Sequence, residues 1–195
     1  MKILITRHGQ TNHNILENGD KQINETGFKQ IQKLINHIKN ENISYIISSP
    51  SERCKTTTHL INSELNVTVE YDPLIKEKNN GDFEGKHHSE IDWSKFEESF
   101  ELIKPPNGEN LVMVRKRTRL FWKNINEKFK DNDDTILIVS HGVFLKVFIG
   151  DLLNMPLYDS IFKLHIDNCS LTTIDIDEKF KEEYIIESIN NHSFL

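Results

Sequence analysis

The sequence predicts an α/β protein, a three-layer α/β/α sandwich with a mostly parallel central sheet and an antiparallel edge. Three observations predict it. Short β-branched and aliphatic runs alternate with stretches of helical periodicity through most of the chain. Two runs, Lys2-Ile3-Leu4-Ile5-Thr6 and Thr135-Ile136-Leu137-Ile138-Val139, end at polar-Gly breaks, Arg7-His8-Gly9 and Ser140-His141-Gly142, as buried strands of a parallel sheet do. In the last quarter the apolar runs crowd together, which favours antiparallel neighbours over crossovers.

Taken in order, the first strand covers residues 2–6. Glu25 to Lys39 then carries Phe28, Ile31, Leu34, Ile35 and Ile38 at helical spacing. Ile43 to Ile47 is a second strand, closing on Ser48-Ser49-Pro50, and Ser51 to Ile61 follows as a helix with Ser51 as its N-cap. Val67 to Val69 is a short third strand, and residues 73–87 form a polar loop. Weaker periodicity predicts a helix over His88–Ile103, stopped by Pro105-Pro106-Asn107-Gly108. Glu109 to Phe129 is a long amphipathic helix, with Leu111, Val114, Leu120, Phe121, Ile125 and Phe129 on one side. A strand over 135–139 and a helix from Val143 onward come next. Phe162–Ile166, Leu171–Ile176 and Tyr184–Ile189 read as closely spaced strands. No repeat or linker interrupts the pattern, so residues 1–195 are expected to form a single domain.

Composition narrows the function. A hydrophobic fraction of 36% and a charged fraction of 28% suit an ordinary soluble globular protein. The formal charge of −6 argues against nucleic acid and against an anionic membrane surface as partners. No long apolar segment opens the chain and no run reaches the length of a membrane span, so a cytoplasmic location is expected. Cys54 and Cys169 fit buried free thiols, although Arg53 beside Cys54 would lower that thiol's pKa. His87-His88 with Glu90 and Asp92 lacks the spacing of a metal site and reads as a solvated cluster; neither metal nor cofactor is expected. Oligomeric state is left open.

The two His-Gly breaks carry the chemistry. Ligands of open α/β sheets bind beyond the carboxyl ends of the strands, where His8 and His141 are placed. A neutral histidine can attack phosphorus and hold the phosphoryl group covalently. Fixed cations around the transferring group then supply much of the catalysis, and the arginine fork suits phosphate oxygens. Arg7 and Arg53 lie at two strand ends, and the amides opening the 51–61 helix would add to an anion site. Glu77, Asp82 and Glu84 share one loop, and by residue type any of them could serve as the acid.

These segments together resemble the histidine phosphatase superfamily, the phosphoglycerate-mutase-like family, over nearly the whole chain. Arg7-His8-Gly9-Gln10-Thr11 with Asn14 resembles the family's Arg-His-Gly-Glu-Thr followed by Asn. Ile23-Asn24-Glu25-Thr26-Gly27 is similar to its Leu-Thr-x-x-Gly, and Ser48-Ser49-Pro50 with Arg53 and Thr56-Thr57 to its second phosphate-arginine segment. Glu77 through Gly85 resembles its acid loop, Pro106-Asn107-Gly108-Glu109 its Pro-x-Gly-Glu helix start, Val139-Ser140-His141-Gly142 its second histidine motif, and Asn168-Cys169-Ser170 its late Asn-x-Ser.

The resemblance implies a nucleophile at His8 and phosphoryl-oxygen ligands at Arg7, Arg53 and His141, assisted by Asn14 and the Gly142 amide. It implies that Glu77 protonates the leaving oxygen and then takes a proton from the attacking water. The expected activity is metal-independent hydrolysis of a small phosphorylated metabolite through phosphohistidine. The alternatives are phosphoglycerate-mutase-type transfer and a non-catalytic phospho-ligand binding module.

Several positions depart from the family pattern. Gln10 stands for Glu, Phe83 for Trp and Asn110 for Ser, and the segment from Ile15 to Gln22 looks several residues short. Only 55 residues separate Gly85 from His141, which implies a shorter lid than the family's mutases carry and favours hydrolysis. Trp93, Phe96 and Phe100 are expected to pack their helix onto the core. Lys21, Lys76, Lys78 and Lys86 near the site loops favour a substrate with more than one negative charge.

Overall fold

Strand β1 (Lys2–Arg7) is paired along its whole length with a strand made far later, β6 (Thr135–Ser140), and this pairing sets the two histidine turns side by side. The computed structural model describes residues 1–15, 20–93, 99–130, 133–176 and 184–195, with the side chains of 13–15 and 88 outside that set. Between the two strands come the hairpin β2 (Thr11–Ile15) and β3 (Lys21–Ile23), helix α1 (Glu25–Ile38), β4 (Ile43–Ser48), α2 (Glu52–Leu65), β5 (Thr68–Tyr71) and α3 (Leu111–Lys128). After β6 come α4 (Gly142–Leu152), α5 (Leu157–Lys163), β7 (Leu171–Asp175) and β8 (Ile185–Asn191).

Among the described residues six strands form one sheet in the order β5-β4-β6-β1-β7-β8. The first four are mutually parallel, and β7 and β8 extend the sheet antiparallel. The predicted three-layer arrangement with an antiparallel edge is therefore present. Alternation along the central strands explains the layers. Ile3, Ile5, Ile136 and Ile138 face a core shared with Phe121, Phe144 and Phe148 of α3 and α4. Leu4, Leu137 and Val139 face the opposite core with Ile31, Leu34 and Ile61 of α1 and α2. Each fully buried side chain of this size contributes roughly 1.5–3 kcal/mol.

Helix starts follow local chemistry. The Asn24 carboxamide caps α1 by accepting from the Gly27 amide at 2.8 Å, and Asn110 caps α3 through Met113 at 2.9 Å. Ser51 is the N-cap residue of α2, but its hydroxyl makes no cap bond; the Asp20 carboxylate accepts from the Glu52 amide at 2.5 Å instead.

Three expectations need correction. Phe162–Ile166 is not a strand: residues up to Lys163 finish α5, which buries Leu157 and Ser160 and leaves Phe162 facing out. His88–Ile103 is not a helix where it is described. His88–Glu90 is a single 3-10 turn in which the Glu90 carboxylate accepts the His87 amide, a local side-chain bond that competes with helix. Residues 94–98, including Phe96, lie outside the described set. Phe100 packs on the exposed Phe162 and Tyr158 of α5, at 5.1 and 6.1 Å between ring centroids, rather than on the core. The β2–β3 hairpin is an addition to the predicted elements.

Candidate active site

β1 and β6 end in register, Arg7 opposite Ser140, so His8 and His141 leave the sheet together. The His8 amide donates to the Ser140 carbonyl at 3.0 Å, and the rings meet edge to face at 5.3 Å between centroids. The backbone here is held from a third side. Asn168 Nδ2 donates to the His8 carbonyl at 2.7 Å and the Cys169 amide to the Arg7 carbonyl at 2.9 Å.

The state of His8 is set by two contacts. Its Nδ1 lies 2.8 Å from the Gly9 carbonyl, which can only accept, so Nδ1 carries the proton. Nε2 is then the bare nitrogen, and it accepts from Arg53 Nε at 3.2 Å. Burial is the main cause that pushes the His8 pKa down, to about 3, with the Arg53 and Arg7 charges adding to it against the Gly9 bond and Asp20. His141 is fully buried and its pKa is likewise held well below the usual histidine value by burial, then by Arg53, His8 and Arg7. Its Nε2 lies 2.8 Å from Ser49 Oγ and 3.4 Å from Cys54 Sγ.

Arg7 donates from Nη1 to the Ile166 carbonyl at 2.9 Å, while its buried Nε has no hydrogen-bond partner among the described residues. Gly142 lies flat against this guanidinium, 3.4 Å from where a Cβ would stand to Arg7 Cζ. Arg53 sits on the first turn of α2 in an ion pair with Asp20, whose carboxylate also takes the Lys21 and Glu52 amides. Asp20 is a residue the motif reading missed, since nothing in its spacing marks a loop acid as the partner of Arg53.

Geometry separates the three loop acids. Both Glu77 carboxylate oxygens reach the start of α4, accepting from the Val143 and Phe144 amides at 3.2 and 3.0 Å, directly beyond His141-Gly142. Asp82 instead accepts from Asn107 at 3.1 Å and Glu84 from Asn80 at 3.3 Å. A cavity of about 510 Å³ runs from Arg53 and Glu77 past Lys76, Lys78, Asn79 and Asn80.

Thus His8, His141, Arg7, Arg53, Glu77 and Gly142 converge, whereas the Asn14 side chain lies outside the described residues. Of the four lysines, Lys76 and Lys78 line the cavity; Lys86 lies over the Phe83 ring at 5.9 Å. His87 turns to Ser89 at 2.8 Å, and the described residues hold no cluster fit for a metal ion. Cys54 is a buried free thiol, as expected: burial raises its pKa and outweighs the pull of Arg53.

The sheet order and the two histidine turns at its carboxyl edge agree with one family of α/β proteins. The chain belongs to the histidine phosphatase superfamily, branch 1, whose family model matches residues 3–191. It is similar to the adenosylcobalamin/alpha-ribazole phosphatase of Escherichia coli strain K12, with 26% identity over 198 residues covering 96% of each chain. It is also similar to a probable phosphoglycerate mutase of Yersinia pestis strain Pestoides F, with 27% identity over 207 residues covering 100% of this chain and 95% of that one. Among solved structures, YhfR of Bacillus stearothermophilus shares the fold with a TM-score of 0.86 at 23% identity, covering 99% and 98% of the two chains.

Proposed function

We propose that the protein is a metal-independent phosphomonoesterase acting through phosphohistidine on a small, polar phosphorylated metabolite, and that residues 1–195 work as one domain. The observation that carries this reading is the bare Nε2 of a buried, neutral His8 between two arginines.

Arg7, Arg53, His141, Asn14 and the Gly142 amide hold the phosphoryl oxygens. Arg53 gives up its bond to Nε2 for a phosphoryl oxygen, and the freed lone pair attacks phosphorus in line with the leaving oxygen. Glu77 protonates that oxygen as its bond to phosphorus breaks. Water then attacks the phosphohistidine, Glu77 takes its proton, and His8 returns with Nδ1–H still on Gly9. A positioned acid/base of this kind is typically worth about 10² to 10⁴ in rate.

Lys76, Lys78, Asn79 and Asn80 beside the phosphate pocket suit a leaving group with hydroxyls or a second anion. The alpha-ribazole phosphatase and phosphoglycerate mutase names of the relatives support a small metabolite of this kind. None of the described helices is long and apolar enough to cross a membrane, which fits the proposed cytoplasmic location.

The test is phosphate release from a panel of phosphorylated metabolites in EDTA, with His8→Ala alongside. Release confined to the wild type, without metal, is expected on one compound or a few related ones. Activity retained in His8→Ala removes the nucleophile assignment. Isomerisation of a phosphoglycerate without net phosphate release would establish the mutase reading.

A further inference from the structure

Glu77 sits in a stretch, residues 76–80, that has no helix or strand to hold it. What holds it comes from α3. Arg117 Nη1 donates to the Leu74 carbonyl and, at 3.0 Å, to that of Lys76; Nη2 donates to the Glu77 carbonyl at 3.3 Å. The other two donors, on Nε and Nη2, grip both oxygens of Glu109 at 2.9 and 3.0 Å. Glu109 in turn takes the Asn79 amide on its carboxylate at 3.0 Å and gives its own amide to the Asn79 carbonyl at 2.8 Å. Arg117 also lies over the Phe144 ring at 5.4 Å, and the Phe144 amide is one of the two that hold the Glu77 carboxylate.

All five Arg117 donors are thus committed to protein acceptors, so this arginine has none left for a phosphate. We infer that Arg117, locked by Glu109, is the positioning residue that sets the reach of Glu77 toward the leaving oxygen. It grips the backbone on one side of the acid and packs on the helix turn that holds its carboxylate on the other. Only a planar fork can span three carbonyls and a carboxylate at once, and lysine cannot replace it. The inference rests on the reading of Glu77 as the acid.

The test compares kcat/KM for an alkyl phosphate from the panel with that for dinitrophenyl phosphate, whose leaving oxygen needs no proton. Arg117→Gln is expected to lose about tenfold to a hundredfold on the alkyl ester and much less on the aryl ester, as a displaced acid would. Competitive inhibition by inorganic phosphate should stay within about twofold, because Arg7 and Arg53 are untouched. Glu109→Gln, nearly isosteric, carries the same comparison should Arg117→Gln fail to fold. Equal losses on both esters, or weakened phosphate inhibition in step with activity, would overturn the inference. If Glu77→Gln shows the leaving-group preference and neither clamp variant does, the positioning role alone falls. If Glu77→Gln shows none, the acid assignment fails and the inference with it.

Discussion

His8 is held neutral chiefly by burial. Its pKa is pushed down to about 3, mainly by desolvation, so the ring is neutral throughout the range where most enzymes work. After correction for substrate ionisation, kcat/KM should therefore show no protonation step near pH 6.5; a step there would mean an ordinary, solvated imidazole. Glu77→Gln should lower kcat/KM for an alkyl phosphate by about 10² or more while sparing dinitrophenyl phosphate. Equal losses would move the acid role elsewhere in the loop. The histidines and Arg7 were legible because each adjoins the end of an apolar strand, and Arg53 because it follows β4 closely, on the first turn of α2. Glu77 was not separable from Asp82 and Glu84 by residue type, since its distinction is the contact with α4. Arg117 was invisible for the same reason: it lies on a helix face 40 residues from the carbonyl of Glu77 that it holds.

At the scale of elements, the loop after β1 depends on how closely α1 approaches it. A Cβ on Gly27 would stand 2.2 Å from the Gln10 carbonyl oxygen and 2.7 Å from Ile23 Cγ2, so only glycine fits there. Gly27→Ala should cost about 1–3 kcal/mol of stability in urea unfolding and reduce kcat/KM by shifting the Gly9-Gln10 backbone. Unchanged stability would show that α1 can slide at no cost. The long, strongly periodic α1 and the β-branched strands read correctly, because period and length agreed. The β2–β3 hairpin did not, since Thr11–Ile15 and Lys21–Ile23 are short and mostly polar and take their order from pairing. α5 was misread because Phe162-Lys163-Leu164-His165-Ile166 alternates apolar and polar residues as a strand does, although its first two residues close a helix.

Across the whole molecule, two histidines held neutral make stability depend on pH. Their folded pKa values lie below the unfolded value near 6.5, so below that pH the unfolded chain binds more protons and the fold loses ground as pH falls. For His8 the loss runs from about pH 6.5 down to about 3. His8 contributes a slope of about 1.4 kcal/mol per pH unit in that window, and His141 acts in the same direction. Glu109 adds to the same direction lower down. Burial would raise its pKa, but the Arg117 ion pair and the Asn79 amide outweigh it, so its contribution is lost as pH falls through the lowered value. The melting temperature should drop steadily from pH 6.5 to 4.5, and less steeply in His8→Gln. Parallel slopes in the two proteins would contradict the neutral burial of His8.

The placement of β1 between β6 and β7 also governs how the chain is born. β1 precedes the other strands of the sheet in the chain and is central in it, yet the neighbours it pairs with, β6 and β7, are made more than a hundred residues later. At about 5–20 residues per second, β1 waits on the order of ten seconds with both edges unpaired. During that time a hydrophobic strand that leads into His8 is open to wrong partners. Newly made chains should accordingly need chaperone shielding more than refolded ones do, and chains cut short before Leu171 should aggregate rather than fold to a smaller enzyme.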